Sequence, residues 1–150
     1  METAMIVCCG EALIDMVPYT TPDGIDTYRP LPGGSPYNSA IAMGRLGAPV
    51  SFMGRLSSDF FGTMLVNRLK ENNVQTDLIV RSTQNSTLAF VKIEAGKEPQ
   101  YAFYTEGTAD RSFSGEDLPK SLPPDLHGIL FGSISMTMEP VATTIEQFVF

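Results

Sequence analysis

Residues 32–49, PGGSPYNSAIAMGRLGAP, constrain the fold more than any other stretch of this chain. They spell out a helix with a written start and a written stop. Ser35 is suited to the N-cap and Pro36 to the first helical position, while Gly47 ends the helix at C′ and Pro49 prevents its resumption. Between them Ala40, Ile41, Ala42, Met43, Gly44 and Leu46 are apolar or small, and Arg45 is the only charge. Most of the helix surface is therefore predicted to be packed rather than wet, and its small residues admit a second backbone at close range. The pair Gly33-Gly34 stands just before it. A helix N-terminus behind glycines favours an anion, yet the pattern is neither G-x-G-x-x-G nor a Walker loop, since no Gly-Lys-Ser/Thr follows. Spacing alone favours a tight turn before a buried helix over a binding loop.

The chain has 150 residues, enough for one domain or part of one, with the composition of an ordinary globular protein. With 10 basic residues against 17 acidic ones, a net charge of −7 gives no footprint for nucleic acid or an anionic membrane. A neutral small ligand fits better. The longest apolar stretches are strand-sized, and the start Met1-Glu2-Thr3 lacks the basic region of a secretory signal, so the cytoplasm is the default expectation. Cys8 and Cys9 are adjacent in an apolar run, where strand geometry sends their side chains to opposite faces as small buried hydrophobes. His127 is the only histidine. No metal cage and no Ser/His/Asp arrangement is legible.

The run from Ala4 to Cys9, ended by Gly10, suits a strand covered on both faces in a parallel sheet. Residues 12–17, ALIDMV, form a second extended candidate with Asp15 as its only polar side chain. A carboxylate there must be neutralised, paired or kept wet by a cleft, unless it lies on the solvent face of an edge strand. The stretch 20–34 is dense in turn formers, with a turn at Pro22-Asp23-Gly24 and extended chain at Tyr28-Arg29. VSFMG at 50–54 alternates like a short strand, and Asp59 can cap a helix whose Phe61, Leu65 and Leu69 recur at i, i+4, i+8, with Lys70 in its last turn. Residues 86–105 form two alternating runs joined by Gly96-Lys97-Glu98-Pro99, a hairpin signal. Core packing is the expected fate of most of its aromatics, Phe90, Tyr101, Phe103 and Tyr104. GILFGSIS at 128–135 reads as another buried strand, and Pro140 can open a helix containing Val141, Ile145 and Phe148 that meets the chain end without a cap. That apolar stripe implies a fold continuing beyond Phe150.

GEALIDMVP (10–18), PGGSPYNSAIAMGRLGAPVSFMGRLSSDFFG (32–62) and YTEGTADRSFSGEDLP (104–119) resemble, in order and spacing, the N-terminal half of the ribokinase-like (PfkB) carbohydrate kinases, with fructokinases most similar. The resemblance covers nearly all of this chain and about half of a typical family member. It implies an α/β sandwich with a central, mostly parallel sheet, and a small β lid formed by segments near 12–32 and 86–105. Residues 1–150 would be the N-terminal part of that single domain, without its nucleotide-binding part. It further implies that Asp15 accepts hydrogen bonds from neighbouring sugar hydroxyls, that Gly33 and Gly34 let backbone approach the sugar, and that Asn38 completes the polyol contacts, with Phe103 and Thr105 as lid contacts. The ligand of the glycine loop is then a set of hydroxyls rather than a phosphate.

The family's general base is an aspartate in a Gly-x-Gly-Asp motif toward the C terminus, which these 150 residues lack, so no catalytic residue is assigned to them. The resemblance implies ATP and Mg2+ as cofactors and leaves open a monovalent cation and a homodimer paired through the lid strands. Two departures stand out. Ser57 occupies a place where the family prefers glycine, and Thr105 one where many fructokinases and ketodeoxygluconate kinases have arginine after an aromatic, here Tyr104, which weakens the case for a carboxylated sugar. The leading expectation is the sugar-binding half of an ATP-dependent, fructokinase-like sugar kinase. The alternative is a non-catalytic sugar- or nucleoside-binding protein.

Overall fold

The computed structural model describes residues 4–150; the Met1-Glu2-Thr3 start lies outside them. The apolar run becomes β1 (Met5–Cys9), which pairs in parallel with β4 (Val50–Ser57) on one side and β8 (Leu126–Phe131) on the other. With β5 (Ile79–Ser82) the order is β5-β4-β1-β8, all parallel. Cys8 and Cys9 are fully buried and join two different cores. Cys8 packs with residues of α1 (Ser35–Arg45) and α2 (Phe60–Glu71), and Cys9 with Val141 and Ile145 of α3 (Val141–Val149). The sheet is thus covered on both faces, which is why β1 is a continuous apolar run instead of an alternating one.

A second sheet runs β3-β2-β6-β7, built from β2 (Leu13–Thr20), β3 (Asp26–Gly33), β6 (Leu88–Lys92) and β7 (Gln100–Tyr104). The turn between β2 and β3 closes where the sequence marks it, with the Gly24 N–H donating to the Thr21 carbonyl at 2.9 Å. β6 and β7 pair antiparallel around the predicted connection near Gly96. Ile14, Met16 and Leu88 root this sheet against Tyr37, Phe52 and Leu65 of the first core.

Three readings need correction. The N-cap of α1 is Gly34 (φ +113), one residue early, so Ser35 and Pro36 both lie inside the helix. Its C-terminus follows the sequence: the Gly47 N–H donates to Gly44 and the Ala48 N–H to Met43, both at 3.1 Å, a Schellman closure with Gly47 at φ +77. Residues 128–135 are not all strand, because the backbone turns at Gly132 (φ +150) into a 3-10 helix over Ser133–Thr137. Its strand part is only half-buried, since β8 is an edge with β1 as its one sheet neighbour among the described residues. Nor are the hairpin aromatics mostly core, for Tyr101, Phe103 and Tyr104 are exposed. β5 went unread; it is four residues of mixed character, IVRS, too short to show a period.

One carboxylate, Asp59, fastens the second sheet to the start of α2, and another, Asp110, holds together the ends of the second sheet itself. Asp59 caps α2 through the Gly62 N–H at 2.7 Å and also accepts the Ser86 N–H at 2.9 Å and its hydroxyl at 2.8 Å. Ser57 takes part in this capping: its Oγ accepts the Asp59 N–H at 3.0 Å. Burial opposes ionisation of Asp59, but these hydrogen bonds outweigh it and hold its carboxyl below the usual range. Asp110 is 5% exposed, and its Oδ1 accepts the hydroxyls of Thr87 at 2.5 Å and Thr108 at 3.1 Å and the Arg111 N–H at 2.9 Å. It thereby ties the residue before β6 to the turn after β7. Its Oδ2 has no partner, and burial pushes this carboxyl up despite the bonds to Oδ1.

The two groups give opposite pH signs. The stability that Asp59 contributes is complete above the ordinary aspartate pKa and is lost as pH falls through its depressed value. Asp59→Ala should cost about 2 kcal/mol, from the lost cap and the unsatisfied Ser86 N–H, read as a shift in urea midpoint at neutral pH that shrinks in acid. For Asp110 the folded chain keeps a proton that the unfolded chain has released, so stability declines as pH rises through the window between its ordinary and raised values. Asp110→Asn should flatten that decline in the same titration; an undiminished slope would assign it to another group.

Candidate functional site

Asp15 lies in the middle of β2, and β2 lies in the interior of the second sheet, between β3 and β6. The edge-strand reading of Asp15 is therefore removed. Register places Leu31 of β3, Asp15, Ala89 of β6 and Phe103 of β7 directly opposite one another in a single row. Residues in such a row share a face. Phe103 stacks on Tyr101 of the same face at 5.8 Å between centroids, and the Arg29 guanidinium lies over the Tyr19 ring at 5.6 Å farther along it. The remaining aromatics occupy the opposite face, where Phe90 meets Tyr28 and Tyr104 edge-on at 5.1 and 5.5 Å. One carboxylate in an otherwise apolar and aromatic row has the make-up of a sugar-facing surface, in which rings cover C–H groups and the acid accepts hydroxyls.

The glycine pair is brought to this carboxylate. A Cβ at Gly33 would lie 2.1 Å from Asp15 Oδ2, and one at Gly34 would lie 2.6 Å from the Glu11 carbonyl oxygen. Gly34, pressed by backbone and holding a φ of +113, tolerates no side chain, whereas a side chain at Gly33 would displace the Asp15 carboxylate. Burial pushes the Asp15 carboxyl above its ordinary range, with no hydrogen bond acting against it. Asn38 sits in the first turn of α1, exposed, its backbone N–H donating to Gly34 at 2.8 Å. Thr105 follows β7 and lines, with Phe103, a cleft of about 570 Å³ against Asp59, Phe61 and Ser86 at the start of α2. Asp15, Gly33 and Asn38 are not among that cleft's lining residues. Phe103 belongs to both surroundings, while Thr105 belongs only to the cleft.

Sequence reading missed Glu11. It is 2% exposed at the carboxyl end of β1, and its Oε1 accepts the Ser35 N–H at 3.1 Å while its Oε2 accepts the Ser135 N–H at 3.3 Å. Its signal was available, since a charged residue directly after a buried strand and a positive-φ glycine is a costly choice unless backbone donors meet it. The described residues contain no group of three His, Cys, Asp or Glu placed to hold a metal ion. No helix among them is long and apolar enough to cross a membrane.

A family model described as pfkB family carbohydrate kinase matches residues 3–124. The fructokinase of Rhizobium leguminosarum bv. trifolii is 44% identical over 142 residues, which cover 95% of this chain and 43% of that protein. The crystal structure of the fructokinase from Xylella fastidiosa superposes with a TM-score of 0.87 at 36% identity, over 97% of this chain and 46% of that one. The same enzyme with bound ATP superposes equally well, with a TM-score of 0.87 at 35% identity over 97% and 44%. The chain thus spans less than half the length of these relatives.

Proposed function

Because the chain belongs to the pfkB family of carbohydrate kinases, we propose that it supplies the sugar-binding half of an ATP-dependent sugar kinase, fructokinase-like in its substrate, with the second sheet as the lid over the sugar. The observation that carries this reading is the Asp15 carboxylate, partly buried in a row with Leu31, Ala89 and Phe103 and lying against Gly33 of the glycine pair.

Each residue then has a stated task. Asp15 accepts hydrogen bonds from two neighbouring hydroxyls, one per oxygen, a geometry a polyol offers and a monoalcohol does not. Gly33 and Gly34 let main chain come against the sugar. Asn38 offers a donor and an acceptor from one amide, and Phe103 covers an apolar face of the ring. Thr105, on the cleft side, is a weaker lid contact by this geometry. ATP supplies the phosphoryl group when bound, and Mg2+ its charge neutralisation. With no Gly-x-Gly-Asp run and no carboxylate cluster among the described residues, neither ligand is assigned to them. Asp15 orients the substrate, and the proton of the attacking hydroxyl is not assigned to it.

Titration calorimetry of fructose tests the reading. Asp15→Ala should weaken binding by about 2 to 4 kcal/mol through loss of the charge-assisted pair. Because the carboxyl is raised by burial, wild-type affinity should fall on acidification earlier than an ordinary aspartate would dictate. Asp15→Asn should show no such fall. Unchanged affinity in Asp15→Ala removes this residue from the site, and no heat with fructose, ribose or ketodeoxygluconate removes the reading itself.

A further inference from the structure

We infer that Glu11 is a specificity-determining residue of this site: its carboxylate stands in for an anion at the N-terminus of α1 and turns the glycine loop toward uncharged sugars and away from phosphorylated ones. The inference rests on the sugar-binding reading above and names the charge class of its substrate.

A glycine-led helix N-terminus is normally a ready anion site, because its first N–H groups and the helix dipole both point outward unmet. In α1 that capacity is reduced at the first two helical positions. The Ser35 N–H already donates to Glu11 Oε1 at 3.1 Å and Pro36 has no N–H, while the Asn38 N–H makes the first bond of the helix itself, to the Gly34 carbonyl at 2.8 Å. Two of the positions whose N–H groups a helix leaves unmet at its start, Ser35 and Pro36, are therefore closed to a bound anion. Charge adds to this occupancy. The Glu11 carboxylate touches Ser35, and that of Asp15 lies against Gly33, so carboxylates meet the loop at both ends of the glycine pair. The ion pairs of the described residues, Arg55–Asp117, Lys92–Glu94, Lys97–Glu94 and Arg111–Glu106, involve neither of them. A phosphate approaching the loop meets two negative charges without a paired cation, whereas a hydroxyl finds acceptors.

Glu11 is also held in place. Its second oxygen accepts the Ser135 N–H at 3.3 Å, and a Cβ at the neighbouring Gly10 would lie 2.6 Å from Pro36 Cγ and 2.8 Å from Ser135 Oγ. The close packing around Gly10 thus fixes the backbone from which the Glu11 carboxylate reaches both N–H groups.

The test uses Glu11→Gln, which keeps the size and removes the charge. Inorganic phosphate is titrated into both proteins while the amide resonances of Ser35, Tyr37 and Asn38 are followed. The variant should respond to phosphate at concentrations that leave the wild type unmoved, an apparent gain of about fivefold or more. Equal responses overturn the inference. In parallel calorimetry, the preference for fructose over fructose 6-phosphate should narrow by a similar factor in the variant; a wild type that binds both alike also overturns it. A wild type that ignores both sugars removes the sugar reading, and the phosphate titration still decides on Glu11. Should the variant fail to fold, Pro36→Ala restores an N–H beside an intact Glu11. It should gain no phosphate response, and a gain of fivefold or more would overturn the inference.

Discussion

The structure depends on a close approach that only a missing side chain permits. Main chain at Gly34 lies so near the Glu11 carbonyl that a Cβ would sit 2.6 Å from it, and the Asp15 carboxylate lies against Gly33 beside it. This contact joins the end of β1, the start of β2 and the start of α1 at one point. β1 is the central strand of the buried sheet, whereas β2 is a central strand of the exposed one, and only three residues separate them. The position of Asp15 is therefore inherited from the core. A strand fixed by Val7 and Cys9 on one side and Cys8 on the other delivers the carboxylate to the carboxyl edge of the sheet, where open α/β folds receive ligands.

A second consequence concerns what kind of chemistry this edge can do. The two thiols at the end of β1 are held inert, since burial pushes Cys8 up to about 11 and Cys9, with Cys8 beside it, up to about 12. Neither forms a thiolate at neutral pH. The only histidine, His127, is an exposed residue of β8. What remains near the glycine pair are carboxylates and amides, groups that orient hydroxyls well. The net charge of −7 and the flanking of the loop by Glu11 and Asp15 push in the same direction. Local and global electrostatics both favour a neutral ligand, although only the local arrangement confers a specificity.

Legibility followed the range of the interaction concerned. Elements set by local chemistry were readable: the Asp59 cap, the Gly47 closure, the turn at Gly24 and the hairpin around Gly96 each involve residues a few positions apart. Interior placement of Asp15 was not readable, because it depends on β6 pairing beside β2 across more than seventy residues. Exposure of Tyr101, Phe103 and Tyr104 escaped for a related reason. Their alternation marks a strand correctly, but whether a sheet face is covered is a tertiary fact. At α1 the departure was small and physical. A glycine with φ +113 serves as N-cap there, since Glu11, from the preceding strand's end, supplies the oxygen that a capping serine would otherwise provide.

That substitution of one acceptor for another makes Glu11 central in space although no local capping pattern marks it. Capping from a distant side chain leaves Ser35 free of the local capping role, and Ser35 lies exposed beside the glycine pair. The same carboxylate reaches the Ser135 N–H, so the start of α1 and the turn after β8 are joined through one buried acid. β8 borders β1 on the side opposite β4. An acid at the end of the strand between them therefore holds both loops at once, so that an isosteric amide there would change the charge of the loop mouth while a shorter side chain would also release its spacing.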